Sequence, residues 1–198
     1  RFFSKLDDYA YGANVNYTLP FTWNDQKNSF KAGASYLFKT REYSARAFRY
    51  KPAQLSQFNT NILAIQPEFV FDTAYMNRQG LVLDEITNNS DHYTGEATTA
   101  AGYAMMDNRI SGKLRLVWGL RVENFNYTVN TADFSNPAIR INRNYLDFMP
   151  SLNLTYNLTK RTNLRLSGWR SVSRPDFREV ANFQFYDFSR NAIIKGNA

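Results

Sequence analysis

Residue types that perform catalysis are scarce in this chain, and none stands at a spacing that supports chemistry. His92 is the only histidine and cysteine is absent, so a histidine–thiolate metal site is not predicted. The candidate nucleophiles Ser167, Ser171 and Ser173 have no histidine in a suitable sequence context, so a Ser-His-Asp hydrolase is unsupported. The carboxylate pair Asp84–Glu85 lies in a predicted loop, where solvation accounts for it. The sequence therefore predicts neither an enzyme nor a cofactor site.

The basic residues are the side chains that best suit a binding function. The chain has 24 Lys and Arg and 17 Asp and Glu, which gives a net charge of +7. Guanidinium groups form strong bonds with carboxylates and phosphates. One group of cations lies in the sequence just before and at the start of a long predicted connection, and it comprises Arg41, Arg46, Arg49 and Lys51. A second group, of mixed charge, is spread along predicted strands and comprises Arg115, Arg121, Glu123 and Arg165, with Trp169 as an aromatic neighbour. A nucleic-acid surface would interleave basic and aromatic residues, but here they lie on opposite strand faces, so nucleic acid is excluded as a partner.

The elements that position these side chains are long β-strands. In "GKLRLVWGLRVENFNY" (112–127) every even position from Leu114 to Val122 is apolar, and charged residues take most of the odd positions. Period-two alternation predicts a strand with one apolar and one polar face. The same pattern predicts strands over 7–21, 28–43, 92–106, 145–158 and 162–173. In the weakest of them, 92–106, the predicted apolar face carries Tyr93, Ala97, Ala101, Tyr103 and Met105.

The connections between these strands alternate between short and long. "TWNDQKN", "DNRIS" and "TKR" are short, whereas roughly 45–91, 129–144 and 174 onward are long. Short turns at one rim and long loops at the other are typical of outer-membrane barrels, with the turns periplasmic and the loops extracellular. No apolar run approaches the ~18 residues of a membrane-spanning helix. The sequence thus predicts an all-β fold, an antiparallel up-and-down transmembrane β-barrel segment of about six strands, with lipid against the apolar face.

Two further features refine this prediction. Aromatic girdles are expected at both membrane interfaces. Near the short turns they would comprise Phe21, Trp23, Tyr103 and Tyr156, and near the long loops Tyr9, Tyr93, Phe125, Tyr127 and Tyr145. Pro150 lies inside a predicted strand and cannot donate a ladder hydrogen bond, so a bulge or a missing bond is expected there.

The C-terminal part carries a family resemblance. The elements "MPSLNLTYNLT", "NLRLS", "SRPDFREV", "FYDF" and the terminal "GN" occur in order, preceded by "AAGYAMMDNRISGKLRLVWGLRVE". This set resembles the barrel of TonB-dependent outer-membrane receptors, and most closely the subgroup with a carboxypeptidase-regulatory-like N-terminal domain. It covers roughly 95–198, while 1–90 fits by strand pattern.

The resemblance implies a barrel of twenty-two strands, filled by a plug domain and driven by the inner-membrane TonB complex. Residues 1–198 would then be part of one transmembrane β-barrel domain in the outer membrane, with the plug domain, the TonB box and the closing strands not included. The implied function is active uptake of a nutrient such as a siderophore, oligosaccharide or peptide. A surface lipoprotein lid is a further possible partner.

Roles for the polar residues follow from this layout. Arg115, Arg121, Glu123, Arg165 and Trp169 are expected to face the lumen and contact a ligand or the plug. Arg41, Arg46, Arg49 and Lys51 are expected at the rim, where they could bind lipopolysaccharide phosphates. In "SRPDFREVANFQFYDF" we predict a structural rim motif. Its charged residues Arg174, Asp176, Arg178 and Glu179 would pair among themselves, and Phe177, Phe183, Phe185 and Phe188 would anchor the loop.

Two alternatives remain open from the sequence. The first is a passive barrel, or an assembly or secretion component, which would lack the plug and TonB box. The second is a secreted carbohydrate-binding β-sandwich, which high salt would release without detergent.

Overall fold

Six long antiparallel strands form one sheet in chain order. The computed structural model describes residues 2–132, 138–182, 184–187 and 189–195. The strands are β1 (Phe2–Trp23), β2 (Gln26–Pro52), β3 (Leu81–Glu85), β4 (His92–Arg109), β5 (Leu114–Thr131), β6 (Ile139–Asn157) and β7 (Asn163–Trp169). The sheet order is β1-β2-β4-β5-β6-β7, and the short β3 pairs with the end of β2. The six predicted strands and their up-and-down order are confirmed; β3 was not predicted.

The remaining elements are short. They are the helices α1 (Pro67–Val70) and α2 (Phe177–Val180), the hairpin of β8 (Gln184–Asp187) with β9 (Ala192–Lys195), and three 3-10 helices at Leu55–Gln57, Thr60–Ala64 and Asn89–Asp91. Among the described residues no helix is long and apolar enough to cross a membrane.

Tight turns join the strands at one rim. Between β1 and β2 only Asn24 and Asp25 intervene, and both have φ of 55°. Positive φ at both central residues is the requirement of a type I′ hairpin, and Asn and Asp tolerate it better than other non-glycine residues. At the opposite rim β5 and β6 remain paired out to Thr131 and Ile139. The loop predicted over 129–144 is therefore mostly strand, because these strands continue beyond the predicted bounds.

The register assigns each residue to one of two faces, because directly opposed residues in an antiparallel pair point the same way. Leu120 lies opposite Ala104 and Pro150, and this side of the sheet is called the apolar face. Arg121 lies opposite Tyr103 and Met149, and its side is called the polar face.

Large side chains of the apolar face are exposed. Val15 is 73% exposed, Leu164 63% and Trp118 48%. Among the described residues no second sheet packs against them, as a β-sandwich would require.

The predicted facing of β4 is wrong. Tyr93, Ala97, Ala101, Tyr103 and Met105 lie on the polar face, in register with Tyr43, Lys39, Ser35, Gly33 and Lys31 of β2. Tyr93 is only 2% exposed. Small residues, among them Gly102 and Ala104, occupy the apolar face of β4 instead. The alternation of side chains along β4 therefore did not identify which of its faces is the apolar one.

The aromatic girdle near the long loops is likewise corrected. Phe125 and Tyr127 lie in register with Tyr145 and Arg143 on the polar face, and Tyr93 joins them there. Tyr9 lies on the apolar face, opposite Thr40. Near the short turns Tyr103 is on the polar face, whereas Tyr156 lies opposite Leu114 and Leu164 on the apolar face.

The apolar band has the height of a bilayer core. On β6 it runs from Leu146 to Tyr156, about 34 Å along the strand at 3.4 Å per residue. At the usual barrel tilt of 35–45° this gives roughly 25 Å. Beyond Leu146 the same side of β6 carries Asn144, Asn142 and Arg140. The sheet thus projects past the apolar band on the side of the long loops.

Pro150 causes no bulge. Its register with Leu120 of β5 is unbroken, while its carbonyl accepts a bond from the Arg170 N–H at 3.1 Å. The Pro150 nitrogen must therefore also point towards β7, and pairing of β6 with β7 ends next to it, at Ser151↔Trp169. The missing bond is confirmed at this edge, and the expected bulge is not observed.

Candidate functional site on the polar face

After β7 the chain leaves the sheet edge and crosses the polar face. Residues 170–182 are called the strap. Asp176 caps α2, since its side chain accepts from the Phe177 N–H at 2.8 Å, and Glu179 accepts from the Asp176 N–H at 3.1 Å. This capping box fixes the local turn of the strap and aims Phe177 at the sheet.

Phe177 fills an aromatic pocket on β4 and β5. Its ring stacks on Tyr127 with centroids 5.2 Å apart and planes 11° apart, and the residue is 5% exposed. Gly95 forms the floor, because a Cβ added there would lie 2.4 Å from the Phe177 ring. The predicted anchoring role of Phe177 is confirmed; Phe183 and Phe188 lie outside the described residues, as does the side chain of Phe185.

Arg41 ties the strap to β1 and β2. Its Nη1 donates to both Asp176 carboxylate oxygens at 2.8 and 2.9 Å, and its Nε donates to Asp8 at 2.8 Å. The guanidinium also lies 5.4 Å from the Phe177 ring centroid. Charge-assisted bonds of this kind are roughly twice as strong as neutral ones.

Arg174 ties the strap to β5 and β6. It bonds to Asp147, lies 3.6 Å from a Glu123 oxygen, and packs over the Phe125 ring at 4.8 Å. Glu123 also accepts from Arg121 at 3.1 Å. Arg174 and Asp176 thus pair with the strands rather than within the motif, which corrects that prediction. The sequence could not reveal these partners, because they are 27 to 135 residues away.

We expect Gly95→Ala to push Phe177 out of its pocket. The added methyl group would overlap the ring, and overpacking of this kind costs about 1–3 kcal/mol. Faster amide exchange at residues 177–182 would report the displacement. Gly102→Ala is the matched control on the same strand, since its nearest atom would be 3.9 Å away. Equal exchange in both variants would show that the pocket does not hold the strap.

The other predicted lumen residues lie nearer the short turns. Arg115 donates to Asp107 from Nε at 2.8 Å and from Nη2 at 2.6 Å. Arg165 lies on the polar face of β7, opposite Thr155. Trp169 is 72% exposed at the end of β7. The structure thus divides the predicted set between two levels, with Glu123 in contact with Arg174 of the strap and Arg121 beside it.

The predicted rim cations hold β3 against β2. Arg46 donates to Glu85 at 2.8 and 2.9 Å, Arg49 to Asp84 at 3.0 Å and Lys51 to Asp84 at 2.8 Å. The hydrogen bond from Arg46 is the main cause that lowers the pKa of Glu85 to about 2. Lys51 and then Arg49 lower the pKa of Asp84. Contacts of these cations with lipopolysaccharide stay a prediction.

We expect the pairing of β3 with β2 to weaken in acid. Because the folded-state pKa of Glu85 lies below its ordinary 4.5, its contribution is present above that value and is lost as pH falls towards about 2. Spin labels at Tyr50→Cys and Leu83→Cys, opposite each other in the register, would lose dipolar broadening over this window. Broadening that persists unchanged at pH 2 would contradict the prediction. In Glu85→Gln the pairing should be weaker already at neutral pH.

Residues 2–132, 138–182, 184–187 and 189–195 contain no group of three or more His, Asp or Glu arranged for a metal ion. His92 is exposed at the start of β4.

Comparisons with known proteins show which proteins this chain resembles in sequence and in fold. The sequence model of the outer membrane protein beta-barrel family matches residues 4–198. No curated protein sequence matches.

Several solved structures share the fold. The siderophore receptor PiuA from Acinetobacter baumannii superposes with a TM-score of 0.57 at 15% identity, over 83% of this chain and 24% of that one. The ferric citrate transporter FecA gives 0.54 at 16% identity, over 83% and 20%. The ferric-catecholate import receptor Fiu from K12 E. coli gives 0.52 at 14% identity, over 83% and 23%. The chain therefore spans a quarter or less of the length of these receptors.

Proposed function

This chain belongs to the outer membrane protein β-barrel family, and from that premise we propose that it forms part of the wall of a TonB-dependent transporter. It lies in the outer membrane as a multi-pass β-barrel segment. The full-length protein would bind a nutrient at the extracellular side and pass it inward when the TonB complex moves a plug domain. The expected cargo is a siderophore, oligosaccharide or peptide.

One observation carries the proposal: the six-stranded wall presents an exposed apolar band on one face and charged side chains on the other. Arg121 and Glu123 lie on this polar face, one residue from the apolar side chains of Leu120 and Val122. A channel lined with hydrated charges suits polar cargo and a protein plug. The likeness of fold to receptors for siderophores and ferric citrate supports this proposal.

Several finer roles belong to the same proposal. The N-terminus of the full-length protein would carry a carboxypeptidase-regulatory-like domain and a TonB box. Arg46, Arg49 and Lys51 project beyond the apolar band and could exchange their carboxylate partners for lipopolysaccharide phosphates. Arg41 would instead hold the strap in place through its hydrogen bonds to Asp176. A surface lipoprotein lid would contact the long loops, and the protein would not be an enzyme.

The test is uptake by cells that produce the full-length protein. Three labelled probes would be supplied: ⁵⁵Fe-citrate, a maltooligosaccharide and an oligopeptide. We expect accumulation of at least one probe, and its loss when tonB is deleted or a protonophore is added. Accumulation that survives both treatments would favour the passive barrel and contradict active transport. Absence of accumulation for all three probes would count against the proposed cargo classes.

A further inference from the structure

Two of the short turns share a local structure that places a cation at the same position in each. In the turn between β4 and β5, the Ser111 hydroxyl accepts from the Lys113 N–H at 3.3 Å. In the turn between β6 and β7, the Thr159 hydroxyl accepts from the Arg161 N–H at 3.2 Å. Hydroxyl side chains that bond to the backbone in this way stabilise turns. Lys113 and Arg161 therefore occupy equivalent positions, each two residues after the hydroxyl.

A cavity of about 550 Å³ lies between these two turns and is called the turn cavity. It is lined by residues 112–113 and 157–163. The Asn157 N–H donates to the Lys113 carbonyl at 2.8 Å, which ties the end of β6 to the turn that follows β4. The volume is within the usual range for small-molecule sites, about 300–1,000 Å³. The turn cavity is thus large enough for a small ligand and has a hydrogen-bonded frame.

The turn cavity is cationic. Its lining includes Lys113, Lys160 and Arg161, all of them exposed, and no carboxylate. Within the described part of the chain, none of these three side chains forms an ion pair. The cations at the opposite rim are instead paired with Asp84 and Glu85 of β3. Because three like charges around one space repel one another, the turn cavity favours an anion.

The apolar band ends beside the turn cavity. Tyr156 lies opposite Leu114 and Leu164 on the apolar face. Leu158, two residues beyond Tyr156, is exposed and lines the cavity. In outer-membrane barrels the short turns lie on the periplasmic side, where the lipid leaflet consists of phospholipids. A ligand at this position can therefore place a charged group against the cations and an apolar part along the band.

We propose that the turn cavity is a binding site for the phosphate group of an anionic phospholipid such as phosphatidylglycerol. The Arg161 guanidinium can donate two parallel hydrogen bonds to phosphate oxygens, and the ammonium groups of Lys113 and Lys160 add positive charge. A phospholipid fits better than a free phosphate ion, because the exposed apolar side chains beside the cavity match acyl chains. The inference goes beyond the proposed function, since it concerns the edge of the wall and not the lumen through which cargo passes.

Lipid retention by the purified full-length protein tests this site. Phosphatidylglycerol and phosphatidylcholine would be titrated separately into the protein in detergent, and bound lipid would be counted by native mass spectrometry. Both lipids carry a phosphate, but only phosphatidylglycerol has a net negative charge. We expect phosphatidylglycerol to be retained at concentrations at which phosphatidylcholine is not. Equal retention of the two lipids would overturn the inference.

Paired substitutions locate the retained lipid. Lys113→Gln with Lys160→Gln should weaken retention of phosphatidylglycerol about thirtyfold, because each basic residue near an anionic lipid surface contributes about fivefold in affinity. Lys27→Gln with Lys31→Gln is the matched control, since these lysines lie on β2 near another short turn and do not line the cavity. Lys113→Arg with Lys160→Arg keeps the charges and should keep the lipid, which separates lost charge from a damaged turn. Equal losses in the two glutamine variants would overturn the inference.

Two competitors distinguish a lipid from other anions. Inorganic phosphate has the charged group without acyl chains, so it should displace phosphatidylglycerol only in large molar excess. Displacement by an equimolar amount would mark a site for the free ion and contradict the lipid. A muropeptide, the carboxylate-bearing repeat of the cell wall, represents the other periplasmic polyanion. If it displaced the lipid at equal concentration, the turn cavity would be a cell-wall site and the inference would be wrong.

Discussion

Leu152→Arg is expected to lower the free energy of unfolding in lipid vesicles by about 2–4 kcal/mol, the cost of an arginine at the midplane of a barrel's lipid face. Leu152 lies on the apolar face opposite Trp118, near the middle of the apolar band, and is 44% exposed. A guanidinium there would have no water and no carboxylate. Denaturant titration of the full-length protein in vesicles would measure the loss.

The neighbouring residue provides the control. Asn153 points to the polar face, opposite Val117 and Ser167, so Asn153→Arg should change stability by only about 0.5 kcal/mol. Both variants introduce the same side chain one residue apart, and they differ only in the face. Equal losses in the two variants would mean that the faces are assigned wrongly.

Phe177→Ala is expected to release the strap from the polar face. Truncating a buried phenylalanine costs about 3–5 kcal/mol, and Phe177 is the strap's main apolar contact. Few backbone bonds would hold the strap afterwards. The Asn182 N–H donates to the Thr131 hydroxyl at 3.3 Å, and the Asp176 carbonyl accepts from the Tyr127 hydroxyl at 3.4 Å.

Hydrogen exchange at residues 177–182 would follow this release. Phe177→Leu should accelerate exchange much less, because it keeps most of the apolar volume. Combining Phe177→Ala with Gly95→Ala should add little to Phe177→Ala alone, since the methyl group at position 95 then meets no ring. Slow exchange retained in Phe177→Ala would show that the ion pairs of Arg41 and Arg174 suffice to hold the strap.

Period-two alternation located the strands because lipid and water impose opposite demands on adjacent residues. It succeeded on β5, where Leu114, Leu116 and Leu120 alternate with arginines. It misplaced the faces of β4, because an interior aromatic residue such as Tyr93 and a lipid-facing glycine such as Gly102 reverse the usual signal.

The strap could be foreseen only in part. The sequence "SRPDFREV" indicated a structural motif and an anchoring phenylalanine. It gave no sign that Asp176 reaches Arg41, because that contact depends on the path of the chain across four strands. The like-charged pair Arg109↔Arg115 is also a consequence of register, which the turn "ISGK" sets and composition does not reveal.

The most direct test of the central claim, that the apolar face is solvated by lipid and the polar face by water, is a spin-label scan of β5. Residues 1–198 contain no cysteine, so single cysteines can be placed at 114, 116, 118 and 120 and at 115, 117 and 121. In bilayers, labels at the even positions should collide with oxygen and those at the odd positions with a water-soluble nickel complex, alternating residue by residue. Labels that are inaccessible to both agents at the even positions would place those side chains in a protein core and contradict the account.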